Sequence, residues 1–248
     1  LFELEGAARV VYPVSRLVVD PERFTDDEQE PMAKKGMGVV YTHRQDGKPL
    51  RSELSKEDRQ ELINSFYAPH HQKLEEAVSA ALNKHGKCVI IDCHSFPLQP
   101  LPYEDKSDEP RPKICFGADN FHTKEALLES WSEEWVDLNE EALELHKSME
   151  RDYAVNNPFS GSIVPAKYWK KNRLVQSIMI EVRRDLYWDN KNACPSEGWE
   201  NAKDALQSIL KSIESCTIFE PDESGTSYCP YCGEFSEQPT DYSCKHKL

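Results

Sequence analysis

Apolar residues in this chain fall into short blocks separated by long polar stretches. Val89-Ile90-Ile91 runs straight into Asp92, Cys93, His94 and Ser95. A short apolar run bounded in this way predicts a strand buried on both faces, as in a parallel sheet. Ser177 to Arg183 reads as a second such strand, with Glu181 and Arg183 at its far end. Residues 9–19, interrupted by Pro13, and residues 36–42 are also expected to be strands. Helical periodicity appears elsewhere. Ser55 followed by Asp58 resembles an N-terminal capping box, and Leu62, Ile63, Phe66 and Tyr67 then recur at helical spacing. Pro69 is expected to break or kink that helix, which resumes through Leu74, Val78, Ala81 and Leu82 and ends at Gly86. Residues 124–152 and 198–215 carry two further helical patterns. Strands alternating with helices predict an α/β fold with a mixed, mainly parallel central sheet and helices on both faces.

The linkers are informative too. Residues 25–30 read as an acidic surface loop, 96–113 as a long proline-rich loop over a strand end, and 156–161 as a turn-rich loop. Long loops in compact domains are often functional. Ligands in open α/β sheets bind beyond the carboxyl ends of the strands, where this pattern places Asp92, His94 and Ser95.

Charge narrows the partners. A formal net charge of −14 argues against nucleic acid, which needs basic patches to neutralise phosphates. It leaves room for a small anionic substrate, since a few arginines can reverse the field in one pocket. No apolar stretch reaches the length of a membrane span and no signal peptide is visible. Of the eight cysteines, Cys88, Cys93 and Cys115 lie in or beside apolar segments and read as reduced core thiols. That usage suits a reducing cytoplasm.

Four groupings have the residue types for chemistry. Asp92, His94 and Glu181 join a histidine, a carboxylate that can fix its tautomer, and a second carboxylate fit for general-base work. The alternative is that Glu181 pairs with Arg183 or Arg184 at the surface. Arg16 and Arg23 bracket an apolar segment and a turn, and two guanidinium groups there can hold a carboxylate and an oxyanion. The alternative is two solvated arginines. His70 and His71 are adjacent, so on a helix they point apart and are poorly placed to share one metal ion. Cys229 and Cys232, with Cys244 and His246, have the ligand types of a structural zinc knuckle. The alternative there is a set of free thiols.

Seven segments taken together resemble the N-formylglutamate amidohydrolase family. They are SRLVVDPERF (15–24), GMGVVYTH (36–43), YAPHH (67–71), IIDCHSF (90–96), FHT (121–123), NNPFSGSIVP (156–165) and IMIEVRRDLY (178–187). The family is distantly similar to zinc carboxypeptidases and aspartoacylase. The resemblance implies a phosphorylase/hydrolase-like α/β domain over residues 1–190; residues 191–248, read as a helical extension with the cysteine cluster, fall outside the family's pattern. It implies a zinc-dependent hydrolase that cleaves the N-formyl or N-acyl amide of an acidic amino acid. N-formyl-L-glutamate, giving formate and glutamate, is the default substrate.

Carried over position by position, the resemblance makes His94 a ligand of the catalytic zinc, Glu181 the general base and Arg16 the oxyanion arginine. Arg23 becomes the clamp for the substrate carboxylate. His70, His71, His122, Asn157 and Gly161 fall in family motifs and are expected to form the pocket. Two departures stand out. Glu22 precedes Arg23 where the wider group has asparagine, which sets an anion beside the clamp. The family's other zinc ligands, a histidine and an acidic residue, are expected upstream of Leu1. The competing readings are an inactive relative that binds a ligand or partner, and a zinc peptidase acting on short peptides.

Overall fold

The computed structural model describes residues 1–104, 110–123, 153–215, 227–228 and 235–236. The helical pattern of 124–152 and the cluster of Cys229, Cys232, Cys244 and His246 lie outside them. The chain divides into two compact units. One comprises residues 1–7, 81–98 and 108–248, and the other residues 8–80 and 99–107.

The larger unit is built on a four-stranded sheet. Its strands are β1 (Cys88–Phe96), β2 (Ile114–Gly117), β3 (Tyr153–Val155) and β4 (Val175–Arg183), in the order β1-β4-β2-β3. β1 runs parallel to β4, β2 runs parallel to β3, and β2 meets β4 antiparallel. This is the expected mixed, mainly parallel sheet. Every residue of β4 is buried. The apolar run in β1 is not buried on both faces as its composition predicts. β1 is an edge strand of the described sheet, with half-buried Val89 and Ile91 and an exposed Cys93. Cys93 is therefore no core thiol, whereas Cys115 is one.

Alternation along β4 separates two faces, because successive strand side chains point to opposite sides. Ile178, Ile180 and Val182 face helix α3 (Trp199–Ser215), which contributes Leu206, Ile209, Leu210 and Ile213 to one core. Each of these side chains stabilises the fold by about 1.5–3 kcal/mol through burial. Leu1, Phe2 and Leu4 pack against the same core. Among the described residues, loops cover the opposite face. Thr123 donates to the Ser177 carbonyl and Ser177 Oγ to the Ile163 carbonyl.

The smaller unit holds its own cluster of Val19, Val39, Val40 and Ile63. The two strands expected at 9–19 and 36–42 do not form. Apart from a single bridge of His43 with Pro49, the chain there runs as turns and a 3-10 helix (Pro31–Lys35). The apolar residues are buried as predicted, but against one another rather than in a ladder. Helix α1 (Lys56–Leu62) starts where Ser55 accepts from the Asp58 amide at 3.0 Å. The expected kink at Pro69 is resolved one turn earlier, as a π-turn over Ile63–Tyr67. Proline has no amide to donate, and a π-turn lets α2 (Ala68–His85) continue. Gly86, at φ +70°, ends α2 in the left-handed conformation.

Candidate functional site

The sheet register brings His94 and Glu181 side by side. In the parallel pairing His94 lies opposite Glu181, and in the antiparallel pairing Glu181 lies opposite Cys115. The three form one row across β1, β4 and β2, on the face away from α3 and near the carboxyl ends of β1 and β4. His94 Nε2 donates to Asp92 Oδ1 at 2.9 Å, and the other Asp92 oxygen accepts the Ile163 amide at 3.2 Å. The carboxylate thereby fixes the tautomer and orientation of the ring.

Glu181 is buried, so the surface pairing considered from sequence does not describe it. Arg183 is held by Asp185 at 2.9 Å and donates to the Arg111 carbonyl at 2.8 Å, while Arg184 reaches Ser95. The Cys115 thiol, pushed up to about 11 chiefly by burial, donates to the Phe159 carbonyl at 3.3 Å. A thiol at that value is not a nucleophile near neutral pH.

Arg111 belongs to the same end of the sheet and was not singled out by the sequence. Its guanidinium is buried between the rings of Phe96 and Phe159, 4.9 and 5.4 Å from their centroids. Two aromatic faces hold such a cation in place. Nothing in residues 110–113 signals this, because Phe159 is remote in sequence.

The other predicted residues of this unit have structural work. His122 is expected in the pocket, but it lies at the opposite end of β4. Nδ1 donates to the Val175 carbonyl at 2.7 Å and Nε2 accepts the Lys170 amide at 2.8 Å. Both ring nitrogens are used, so it serves neither as pocket wall nor as metal ligand. Asn157 is exposed on the loop after β3. Gly161 takes φ +79°, and its carbonyl occupies the space that a Cβ at Gly117 would need.

In the smaller unit Arg16 and Arg23 converge on one carboxylate. Asp20 is completely buried. It receives the Tyr41 hydroxyl at 2.9 Å and the Glu22 amide at 3.1 Å. Arg16 Nε lies 3.4 Å and Arg23 Nε 3.5 Å from its Oδ2. Burial first, and the Asp20 charge second, push the Tyr41 phenol up to about 12, so it stays a proton donor. Arg16 also meets Glu22 at 2.9 Å. The anion expected beside Arg23 is thus on Arg16, and the acid near Arg23 is Glu30, at 3.8 Å. Neither arginine is simply solvated. Arg16 keeps 47% and Arg23 25% of its side-chain surface exposed.

His70 and His71 diverge as the helix dictates, with their rings 87° apart. His71 Nε2 donates to the Pro21 carbonyl at 2.7 Å, packs on Tyr67, and is held below its ordinary value mainly by burial. His70 packs edge-on against Tyr12.

Comparison with known proteins identifies the family and the fold. The family model described as N-formylglutamate amidohydrolase matches residues 1–188. The crystal structure of N-formylglutamate amidohydrolase from Ralstonia eutropha JMP134 is similar at a TM-score of 0.64 and 23% identity, over 80% of this chain and 74% of that one. A gene product of Agrobacterium tumefaciens is similar at a TM-score of 0.52 and 18% identity, over 81% and 68%. No curated protein sequence matches the chain. At these identities the structural likeness speaks to the fold, and the family model speaks to membership.

Proposed function

Since the chain belongs to the N-formylglutamate amidohydrolase family, we propose that it hydrolyses the N-formyl amide of an acidic amino acid, with N-formyl-L-glutamate the default substrate and formate and glutamate the products. The observation that carries this reading is the row of His94 and Glu181 at the carboxyl ends of parallel strands, with Asp92 behind the histidine.

The residues divide the work as follows. Glu181 takes the proton from the attacking water and returns it to the leaving nitrogen as the C–N bond breaks. Arg16 stabilises the negative charge that develops on the formyl oxygen. Arg23 binds a carboxylate of the substrate, and guanidinium groups suit that task by their planar fork of donors. His94 fits the role of one zinc ligand, because Asp92 fixes its tautomer at 2.9 Å. Zinc, when bound, supplies Lewis-acid polarisation of the amide and the water. Catalytic zinc takes three protein ligands, so His94 supplies one of a set.

Formate release from N-formyl-L-glutamate and from a neutral N-formyl amino acid tests the proposal. The acidic substrate should be turned over with at least a tenfold higher kcat/KM, an order-of-magnitude figure of about 1.4 kcal/mol in the barrier. Equal or better turnover of the neutral substrate would remove the acidic amino acid from the assignment.

A further inference from the structure

We propose that Asp20 is a positioning residue that sets the direction of both Arg16 and Arg23 for the substrate. This rests on the reading that those two arginines meet the substrate. The carboxylate is fully buried and anchored from several sides. The Tyr41 hydroxyl donates to it at 2.9 Å and the Glu22 amide at 3.1 Å, while the backbone amide of Asp20 itself donates to the Val39 carbonyl at 2.8 Å. Two long flexible side chains lean on this fixed point, Arg16 through Nε at 3.4 Å and Nη2 at 3.5 Å, and Arg23 through an ion-pair contact of Nε at 3.5 Å.

Asp20 lies within ion-pair distance of both guanidinium groups. Glu22 meets Arg16, and Glu30 meets Arg23 at the longer distance of 3.8 Å. Glu30 is itself committed to capping, accepting the Met32 amide at 2.9 Å and the Phe24 amide at 3.1 Å. The loop that carries Arg16 has no strand to stiffen it, though Arg51 donates to the Leu17 carbonyl. Asp20 holds both guanidinium groups from the Nε side, with Arg16 Nη2 shared with Glu22 at 2.9 Å and Arg23 Nη1 3.8 Å from Glu30, and the two side chains keep 47% and 25% of their surface exposed. A guanidinium fixed in advance loses less freedom when it binds an anion.

Charge alone makes the opposite prediction. Asp20, Glu22 and Glu30 outnumber Arg16 and Arg23, so removing the Asp20 charge makes the surroundings more favourable to an anion. Asp20→Asn therefore separates aim from charge. Acting through the arginines, it should lower kcat and raise KM together, with kcat/KM down by roughly tenfold to a hundredfold, the scale of a small misplacement of a reacting group. An effect of charge alone would lower KM.

The deciding experiment is a pair of double-mutant cycles, which report coupling between residues. Arg23→Ala alone should raise KM, and Arg16→Ala alone should lower kcat. In the Arg23→Ala background Asp20→Asn should no longer raise KM. In the Arg16→Ala background it should no longer lower kcat. A general loosening of the fold would keep both effects in both backgrounds, and fully additive cycles would overturn the positioning role while leaving the arginine assignments intact. Wild-type kinetics in both single arginine variants would instead overturn the assignments, and this proposal with them. If Asp20→Asn does not fold, Tyr41→Phe, which removes one anchor of the carboxylate, is run through the same cycles with the same expected pattern.

Discussion

His94 and His122 show how one residue type divides between chemistry and architecture. His94 gives one nitrogen to a carboxylate, the usual way a metal-binding imidazole is oriented. His122 is sealed between a carbonyl and an amide. Burial holds His122 below the ordinary value near 6.5, with the Val175 carbonyl opposing that shift. The sign follows from linkage. The unfolded ring takes up a proton near 6.5 while the folded ring resists it, so its contribution is complete above that value and is lost as the pH falls below it. Urea unfolding at about pH 7.5 and about pH 5.5 checks this against the model-peptide value. Wild type should lose more stability between the two than His122→Gln, and an equal or smaller loss in wild type would contradict the assignment.

Sequence pattern read elements well where the pattern has one physical cause. The cap at Ser55, the glycine stop at Gly86, the buried strand at 175–183 and the helix at 199–215 each follow from local rules. Residues 9–19 and 36–42 form no strands because an apolar run reports burial and not a ladder. Val19, Val39 and Val40 bury themselves in a loop-built cluster instead. Asp20 and Arg111 were illegible because their partners, Tyr41 and Phe159, are distant in sequence. The loop after β3 sits so close to β2 that a methyl group at Gly117 would meet the Gly161 carbonyl and the Met179 side chain. Gly117→Ala should accordingly cost roughly 1–3 kcal/mol, the range for overpacking a close contact. Chemical denaturation measures it, and an unchanged midpoint would show that the loop yields freely.

At the scale of the whole molecule, family membership and the parallel sheet were both present in the ordered motifs of residues 15–187. Among the described residues no helix is long and apolar enough to cross a membrane. The proposed metal chemistry predicts a division of zinc between residues. Mass spectrometry of the intact protein should find zinc that is lost in His94→Ala and kept in a Cys229→Ser/Cys232→Ser variant. Loss of all zinc with the cysteines would take His94 out of the ligand set. The most direct test of the account is formate release by Glu181→Gln, measured alongside its zinc content. A carboxamide keeps the shape of Glu181 but cannot accept the proton, so kcat should fall by about 100- to 10,000-fold, the contribution of a general base, with zinc content unchanged. Turnover at the wild-type rate would contradict the general-base role at the centre of the proposed reaction.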